Sequence, residues 1–449
     1  MCIKMYQTGK TYSMNHTIVI EKIIPGGKGL GRLNSGIVVL SPYVLPGEKV
    51  VVRESKQHRG YIEAELVDIL EPSLHRVIPA CPYFTRCGGC DFQHIKYHSQ
   101  QVIKKEIILE SLERSKAVMD LSALQSVIPS PKPYHYRFRI RLKLSRDGRL
   151  GFYKTRSNSL VEIDRCLIAT DRINTALQEL NNSKLLPGIA TFFREIELLQ
   201  SPADDLVHAV VHAENNRQLP YDQLAELAAS FHHVDHLSVY DGHTCVPVPH
   251  TSSTPLLKQD FAENICGQPY TLTWSPDCFF QVNAEQNSML VKHALQVVGQ
   301  TNGQRVLDLY CGMGNFSIPF GLRRTGKLTG IEINRNSMAW AEINARTYKL
   351  QNCRFIQGDV IKQLSRLIHD NARYDILVLD PPRQGVGRKM PLLADLKPDR
   401  ILYVSCDPAT LMRDMAVLTD KDYTITTLIP VDMFPQTHHI ESVALLEKN

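Results

Sequence analysis

The chain has 449 residues and a formal net charge of +5, with 51 Lys or Arg against 46 Asp or Glu. This length is too great for one ordinary domain and fits two or three. A hydrophobic share of 43% and a charged share of 22% are typical of soluble globular proteins and exclude a disordered or fibrous one. No apolar run is long enough to span a bilayer, and the first ten residues lack the core of a signal peptide, so we expect a cytoplasmic protein without membrane contact.

Residues 11–71 are predicted to form a small β-barrel. Short β-like runs at 17–20, 36–40, 48–53 and 61–67 are separated by glycine-containing turns at 25–27, 34–36 and 46–47. Evenly spaced short strands of this kind are typical of small barrels. The glycines between residues 26 and 31 lack the spacing of a phosphate-binding loop, so we assign them to turns and bulges. These glycines are Gly26, Gly27, Gly29 and Gly31.

Residues 72–257 form a mixed α+β zone that opens with three cysteines on a short loop, Cys81, Cys87 and Cys90. In a chain without an export signal, such a cluster indicates metal binding or catalysis before disulfides. Four thiolates can hold either zinc or an iron–sulfur cluster, and a fourth ligand must come from elsewhere. Zinc sites more often use two C-x-x-C pairs, whereas a three-plus-one arrangement is usual for a [4Fe–4S] cluster.

A basic segment lies within this second zone. Between residues 132 and 156 there are nine Lys or Arg and one acidic residue. Arg137, Arg139, Arg141 and Lys143 alternate with apolar residues, so a strand would carry four cations on one face. A solvated outer face would explain this pattern, but four cations without a carboxylate fit contact with RNA or phosphate better.

Residues 258–449 alternate between strands and helices. Predicted strands lie at 305–310, 328–333, 353–357, 374–380, 401–405, 423–430 and 442–446, and helix-like stretches include 337–348 and 409–418. The alternation predicts a Rossmann-like, mostly parallel, doubly wound sheet, which binds its ligand beyond the carboxyl ends of the strands. A further helical segment, 98–116, could pack on the central or the catalytic domain.

The predicted strand ends of this third zone form a candidate cofactor site. Gly312 and Gly314 follow the first strand and allow a tight turn close to a ligand, and an acid at the end of the second strand can accept hydrogen bonds from ribose hydroxyls. The dinucleotide pattern G-x-G-x-x-G ends in Ser317 instead of glycine, which favours S-adenosylmethionine over NAD. Acids end four successive strands: Asp308, Glu332, Asp359 and Asp380.

Two hypotheses for the chemistry follow from the next strand ends. Asp380 begins an Asp-Pro-Pro segment of the kind that holds an exocyclic amine in many methyltransferases, which would imply N-methylation. Cys406 ends the following strand and is a candidate nucleophile. A cysteine there could equally be a small buried hydrophobe, but its place at the ligand edge of the sheet favours the nucleophile.

Three motifs resemble the signatures of the RNA uridine-5-methyltransferase family: Asp-Pro-Pro-Arg at 380–383, Ser-Cys-Asp-Pro-Ala-Thr at 405–410 and Phe-Pro-Gln-Thr-His-His-Ile-Glu-Ser at 434–442. The resemblance covers nearly the whole chain and is closest to the bacterial 23S rRNA (uracil-5-)-methyltransferases with a TRAM domain and a four-iron cluster. It implies an OB-like TRAM barrel that binds RNA, a central iron–sulfur domain and a class I methyltransferase domain.

The same resemblance assigns roles to individual residues. Cys406 is the implied nucleophile and Glu441 the general base. The implied cofactor and pocket residues are Gln281, Tyr310, Asn315, Glu332, Asp359 and Asp380. The implied ligands of a [4Fe–4S] cluster are Cys81, Cys87, Cys90 and, as the fourth, Cys166, which lies in a matching segment downstream of the basic strand.

The reaction itself needs such a pair of groups. Carbon 5 of uracil is too weak a nucleophile to take a methyl group unaided, whereas a thiolate that adds to carbon 6 turns the ring into an enolate. A base must then remove the proton from carbon 5. Gln281 or a backbone N–H could donate to the enolate oxygen. We expect the target uridine to be flipped out or to lie in a loop.

Several alternatives stay open from the sequence. The substrate could be 23S rRNA or, with the same chemistry, a tRNA. An amino-group methyltransferase working through Asp380 would not need Cys406, and an iron–sulfur RNA-binding protein with a dead methyltransferase domain would not need Glu441 or Gly312, all of which are present. We expect a monomer that uses S-adenosylmethionine.

Overall fold

The computed structural model describes residues 14–213, 219–248 and 255–449, so residues 11–13 of the first predicted domain lie outside the described residues. The N-terminal part is a closed five-stranded barrel in the order β1-β2-β3-β5-β4. Its core consists of buried aliphatic side chains such as Ile18, Val39 and Val50. The strands are β1 (Asn15–Ile23), β2 (Gly29–Arg32), β3 (Val38–Ser41), β4 (Lys49–Gln57) and β5 (Tyr61–Glu71).

One barrel strand was not expected. Gly26 and Gly27 do lie in a turn, both with positive φ, but Gly29 and Gly31 belong to β2, where only a turn or bulge was predicted. A Cβ at Gly29 would lie 2.3 Å from a Val44 methyl carbon, so the strand needs glycine for close packing rather than for a turn. A strand built on glycine carries no apolar alternation, and the sequence pattern therefore missed it.

The central part is α+β, as predicted. Seven strands form one sheet in the order β12-β11-β10-β9-β6-β7-β8, and helices pack against it through residues such as Ile173, Leu177 and Leu224. The strands are β6 (Arg139–Leu144), β7 (Leu150–Tyr153), β8 (Leu160–Glu162), β9 (Phe193–Gln200), β10 (Val207–Ala213), β11 (His236–Tyr240) and β12 (Cys245–Pro247). The helices are α2 (Asp171–Asn182), α3 (Leu186–Ile189) and α4 (Tyr221–Ala229).

The C-terminal part contains a two-stranded sheet, β13 (Leu257–Phe261) with β14 (Tyr270–Trp274), and a seven-stranded sheet in the order β17-β16-β15-β18-β19-β21-β20. The large sheet consists of β15 (Arg305–Leu309), β16 (Lys327–Glu332), β17 (Cys353–Gln357), β18 (Ile376–Leu379), β19 (Arg400–Ser405), β20 (Tyr423–Val431) and β21 (Glu441–Lys448). The helices of this part are α5 (Glu263–Cys266), α6 (Ala284–Val298), α7 (Ser317–Leu322), α8 (Arg335–Thr347), α9 (Val360–His369), α10 (Met390–Asp395) and α11 (Pro408–Thr419).

The strand order of the large sheet shows where a ligand is expected to bind. Strands β15 to β19 are parallel, and β15 lies between β16 and β18, so strand order reverses at the carboxyl ends of β15 and β18. The predicted mostly parallel, doubly wound sheet is therefore confirmed. Strand β21 is inserted antiparallel between β19 and β20, which brings the last segment of the chain to the same edge.

The long helix α1 (Tyr97–Glu113) joins the parts. It packs on α11, with Ile108 in the core of the large C-terminal sheet, while Ile103 and Ile107 share a small core with Ile23 of the barrel and Phe92 of the cysteine loop. The helical segment that could have packed on either domain thus lies against the C-terminal one. None of the described helices combines the length and apolar character that crossing a membrane requires.

Candidate active site and cysteine cavity

The loop after β15 has the backbone of a tight ligand-binding turn. Tyr310, Gly312 and Gly314 have φ values of 66°, 54° and 97°. A Cβ at Gly314 would lie 2.9 Å from Ile318 of α7, so glycine is required both for the backbone angle and for the close approach. The backbone N–H of Gly312 donates to a carboxylate oxygen of Glu332 over 3.1 Å.

The other predicted cofactor residues surround this loop. Glu332 also accepts from the backbone of Asn334 at 2.6 Å, and the amides of Asn315 and Asn287 bond to each other at 3.0 Å. Asp359 caps α9 by accepting from the backbone N–H of Lys362 at 2.9 Å. Burial, followed by the charge of Asp359, raises the pKa of Tyr310.

Two acids lie at the switch point, Asp308 within β15 and Asp380 directly after β18. Asp308 is fully buried, and its Oδ2 accepts from Ser317 Oγ at 2.5 Å, while Oδ1 has no hydrogen-bond partner among the described residues. Burial, together with the charges of Asp380 and Glu332, raises the pKa of Asp308 to about 7. Burial raises the pKa of Asp380 to about 7 as well. Burial leads both shifts, and among the described residues no cation is a cause of either.

Cys406 and Glu441 are brought together by the inserted strand. Ser405 of β19 pairs with Ser442 of β21. Cys406 comes directly after Ser405 and Glu441 directly before Ser442, so continuation of the same register puts the two residues opposite each other. Directly opposed residues on antiparallel strands have Cβ atoms about 5 Å apart. Burial raises the pKa of the Cys406 thiol to about 11, with Glu441 as the next cause. Burial and the charge of Asp380 raise the pKa of Glu441 well above its usual value.

Gln281 occupies the loop that leads into α6 and is 8% exposed. The neighbouring Asn283 caps α6 by accepting from the backbone N–H of Gln286, and it donates to the carbonyl of Met433 at 3.2 Å. The loop of Gln281 therefore lies against the segment that runs to Glu441. The structure thus brings Gln281, Asp380, Cys406 and Glu441 to one edge of the sheet.

One residue near this edge had no role in the sequence-based predictions. Arg383, the last residue of the Asp-Pro-Pro-Arg motif, is exposed, and its charge lowers the pKa of both Cys406 and Glu441 against the larger effect of burial. A cation three residues after Asp380, beyond the carboxyl end of a strand, was the available signal. Arg383 is therefore a candidate for stabilising the anionic forms of the thiol and the carboxylate.

The four cysteines predicted as cluster ligands line one cavity of about 350 Å³. They are Cys81, Cys87, Cys90 and Cys166, and none of them forms a disulfide. Tyr83 joins the loop of the first three cysteines to the segment that carries Cys166. Its hydroxyl donates to Asp164 Oδ1 at 2.5 Å and accepts from the Asp164 backbone N–H at 3.1 Å. Burial raises the pKa of Cys87 to about 11 and that of Cys90 to about 12.

The four thiols line the cavity without forming a metal site among the described residues. Within the described ranges, no three or more His, Cys, Asp or Glu side chains are arranged to hold a single metal ion. The far wall of the cavity is formed by Arg383, Phe434, Thr437 and His439, which belong to the two motifs of the active-site edge. The cysteine cavity therefore lies next to the edge of the sheet that carries Cys406 and Glu441.

The basic strand does not present four unpaired cations. Glu197 of β9 pairs with Arg139 at 2.6 Å, and Glu195 of the same strand pairs with Arg141 and Lys143. The fourth cation, Arg137, precedes the strand and lines the cysteine cavity. The premise of a carboxylate-free cationic face is therefore wrong, because the neighbouring strand supplies the acids. The predicted burial of the alternate apolar residues is confirmed.

Comparison with known protein families decides the family of the chain. Residues 98–449 match the family model described as tRNA (Uracil-5-)-methyltransferase. The chain belongs to this family. The resemblance inferred from the three motifs is thereby confirmed, and so is the prediction that the chain is a methyltransferase.

Relatives within the family match over nearly the full length. The 23S rRNA (uracil(1939)-C(5))-methyltransferase RlmD of Shewanella sp. strain MR-4 is 33% identical, over 98% of this chain and 97% of the relative. The enzyme of the same name from Acinetobacter baylyi is 31% identical, over 96% of each. An uncharacterized RNA methyltransferase of Aquifex aeolicus is 32% identical, over 96% of this chain and 98% of the relative.

A solved structure shares the fold. The Pyrococcus abyssi tRNA (uracil-54, C5)-methyltransferase in complex with S-adenosyl-L-homocysteine aligns with a TM-score of 0.73 over 96% of this chain and 99% of that chain, at 24% identity. The predicted class I methyltransferase fold is confirmed by this likeness, and the closed N-terminal barrel fits it.

Proposed function

We propose that this family member transfers a methyl group from S-adenosylmethionine to carbon 5 of a uridine in 23S rRNA, with Cys406 as nucleophile and Glu441 as general base. The observation that carries the proposal is the placement of Cys406 opposite Glu441 at the carboxyl edge of the catalytic sheet. An amino-group methyltransferase needs no thiol there. The names of the bacterial relatives, which match nearly the whole chain, favour 23S rRNA over tRNA.

The residues act in sequence on the uracil ring. The Cys406 thiolate adds to carbon 6 and pushes the electron pair of the carbon 5–carbon 6 double bond into the enolate. Carbon 5 of the enolate then takes the methyl group, whose bond to the cofactor sulfur breaks, so that S-adenosylhomocysteine would be the leaving group. Glu441 then removes the proton from carbon 5, the double bond forms again, and the bond between Cys406 sulfur and carbon 6 breaks to release the thiolate. Gln281, buried beside this edge, would donate to the enolate oxygen.

The acids of the sheet edge fit S-adenosylmethionine. When bound, this cofactor supplies an electrophilic methyl group on a positively charged sulfonium. Among the described residues no cation contributes to the raised pKa of Asp308 or Asp380, and a nearby positive charge lowers the pKa of a carboxyl or thiol group. The same charge would favour the thiolate of Cys406 and the carboxylate of Glu441, the two forms that the reaction needs.

We also propose that Cys81, Cys87, Cys90 and Cys166 hold a [4Fe–4S] cluster. The support for this proposal is that the four thiols line one cavity, with three of them on one loop and the fourth from a distant segment, the three-plus-one arrangement that is usual for such a cluster. Arg137 also lines the cavity, and its Nε is buried without a hydrogen-bond partner among the described residues. A cation in this place would offset the negative charge of four thiolates. The cluster would serve structure or RNA binding, since the methyl transfer requires no electron.

The domain roles complete the proposal. Residues 11–71 would be a TRAM barrel that binds RNA, residues 72–257 the cluster domain, and residues 258–449 the methyltransferase domain. The uridine would reach Cys406 flipped out of its stack or from a loop, because the thiol lies at the sheet edge and is partly buried.

Product analysis tests the activity. The protein is incubated with methyl-labelled S-adenosylmethionine and either 23S rRNA or tRNA that lacks the modification, and the nucleosides are separated. We expect labelled 5-methyluridine from 23S rRNA. A label in N-methylated nucleosides would overturn the carbon 5 assignment, and a label in tRNA alone would overturn the rRNA assignment.

The occupant of the cysteine cavity is tested by anaerobic purification. We expect brown protein with about four iron atoms per chain, as a [4Fe–4S] cluster requires, and loss of colour in Cys166→Ala. Cys245→Ala, at a half-buried cysteine outside the cavity, is the matched control and should stay brown. Colourless protein that contains zinc would contradict the cluster.

A further inference from the structure

The cysteine loop is bonded directly to the segment that leads to Glu441. Asp91, the residue after Cys90, accepts from the backbone N–H of His438 at 2.9 Å, and its second oxygen pairs with His438 Nδ1. The backbone N–H groups of Asp91 and Phe92 both donate to the carbonyl of Gln436, at 3.2 and 3.0 Å. The loop that carries three of the four cavity thiols therefore holds a stretch of chain that ends three residues before Glu441.

Helix α1 supports the same segment from another side. Gln100 accepts from the backbone N–H of Gln436 and donates to its side-chain carbonyl, each at 3.0 Å. Lys104 is fully buried, pairs with the buried Asp432 and donates to the carbonyl of Phe434 at 3.0 Å. These contacts hold the start and the middle of the segment. At its far end, Asp91 is the side chain that bonds to His438.

The N-terminal barrel contacts Asp91 and His438 at one glycine. A Cβ at Gly27 would lie 2.8 Å from Asp91 Oδ2 and 2.9 Å from His438 Cβ, so a side chain there would push against both. Gly26 is in the same turn and also has a positive φ, but a Cβ there would meet nothing within 4 Å. The N-terminal barrel, the cysteine loop and the catalytic segment thus come together at Gly27, Asp91 and His438.

We propose that Asp91 is a positioning residue that sets the place of Glu441 for proton removal from carbon 5. The proposal rests on the function proposed above. Glu441 has to reach the carbon 5 proton within hydrogen-bond distance, and a shift of about 1 Å can cost about 100-fold in rate. Cys406 directly follows β19 and is not part of this segment, so loss of the Asp91 contact should slow proton removal more than adduct formation.

The test measures which step slows. Proteins are incubated with S-adenosylmethionine and unmodified substrate RNA, and the covalent protein–RNA adduct is quantified beside kcat and KM. Asp91→Ala should lower kcat about 10- to 100-fold and lower KM with it, because adduct formation keeps its rate while proton removal slows, and the adduct should accumulate. Asp91→Asn can still accept from the His438 backbone and bond to its ring, so it should restore most of kcat. Glu441→Gln, which cannot remove the proton, is the reference for full accumulation.

Gly27→Ala tests the same point without altering Asp91, and Gly26→Ala is its control. We expect the covalent adduct to accumulate in Gly27→Ala, as in Asp91→Ala. Gly26→Ala should show the same ratio of adduct to product as the wild type. If Glu441→Gln accumulates adduct while Asp91→Ala and Gly27→Ala either turn over normally or lose adduct and product together, the positioning role is wrong. If Glu441→Gln itself accumulates no adduct, the base assignment fails first, and the positioning role fails with it.

Discussion

Cys406 and Glu441 stand opposite each other at the carboxyl edge of the catalytic sheet, each one residue beyond the paired Ser405 and Ser442. This relationship depends on β21, which enters the sheet antiparallel between β19 and β20. Glu441 begins β21 and Cys406 directly follows β19, so the paired strands position both groups more firmly than two separate loops would. The same closeness raises the pKa of the thiol, after the larger effect of burial.

Cofactor binding should release protons near pH 7. The pKa of Asp308 and that of Asp380 are both about 7, so these groups carry part of a proton each at that pH, and a bound cation will expel it. S-adenosylmethionine and S-adenosylhomocysteine differ in this charge and little in shape. Titration calorimetry in buffers of different ionisation enthalpy should give more protons released by S-adenosylmethionine. Equal release by the two ligands would contradict the account.

Asp308→Asn should stabilise the unliganded protein at high pH. The pKa of Asp308 is about 7 in the folded chain and 3.8 in its ordinary state, so the folded chain keeps a proton that the unfolded chain loses, and stability falls as pH rises between these values. The difference of about 3 pKa units corresponds to about 4 kcal/mol as an upper value.

The difference in unfolding temperature between this variant and the wild type should grow from pH 4 to pH 7 and stay constant above pH 7. Asn can still accept from Ser317, so the hydrogen bond is kept. The exposed Asp395→Asn is the control and should show no such divergence. A constant difference at all pH values would show that Asp308 is not the group that holds the proton.

Glu332→Gln should weaken cofactor binding. Glu332 ends β16 at the cofactor edge, where its carboxylate would accept hydrogen bonds from the ribose hydroxyls, and an amide can accept with only one of its two polar atoms. Hydrogen bonds to a charged group contribute about 1.5–3 kcal/mol, so Kd for S-adenosylhomocysteine should rise about 10- to 100-fold. The matched control is Glu447→Gln, at the exposed end of β21. An unchanged Kd in Glu332→Gln would remove Glu332 from the cofactor site.

Much of the catalytic domain could be predicted from the sequence because its strands are short apolar runs that end in acids. The predicted strand at 353–357 coincides with β17, and the predicted 401–405 strand differs from β19 by one residue. Asp308 and Asp380 could be placed at one edge because carboxyl ends of parallel strands share an edge. Period-2 alternation likewise predicted the buried face of β6.

The rest depends on contacts between residues far apart in the chain. Glu195 and Glu197 neutralise the basic strand from β9, and no pattern within residues 132–156 could indicate them. Asp91 looks like an ordinary polar residue after a cysteine until His438, far along the chain, is placed against it. The opposition of Cys406 and Glu441 follows from where β21 inserts, which the sequence pattern of a single strand does not specify.

The covalent role of Cys406 is tested most directly with RNA that contains 5-fluorouridine at the target position. Fluorine at carbon 5 cannot leave as a proton does, so the ring stays bonded to the thiol after methyl transfer. With S-adenosylmethionine present, the account predicts a stable protein–RNA complex whose digestion places the nucleotide on Cys406, and no complex with Cys406→Ala. Absence of a complex with both rRNA and tRNA fragments, or attachment at another residue, would contradict it.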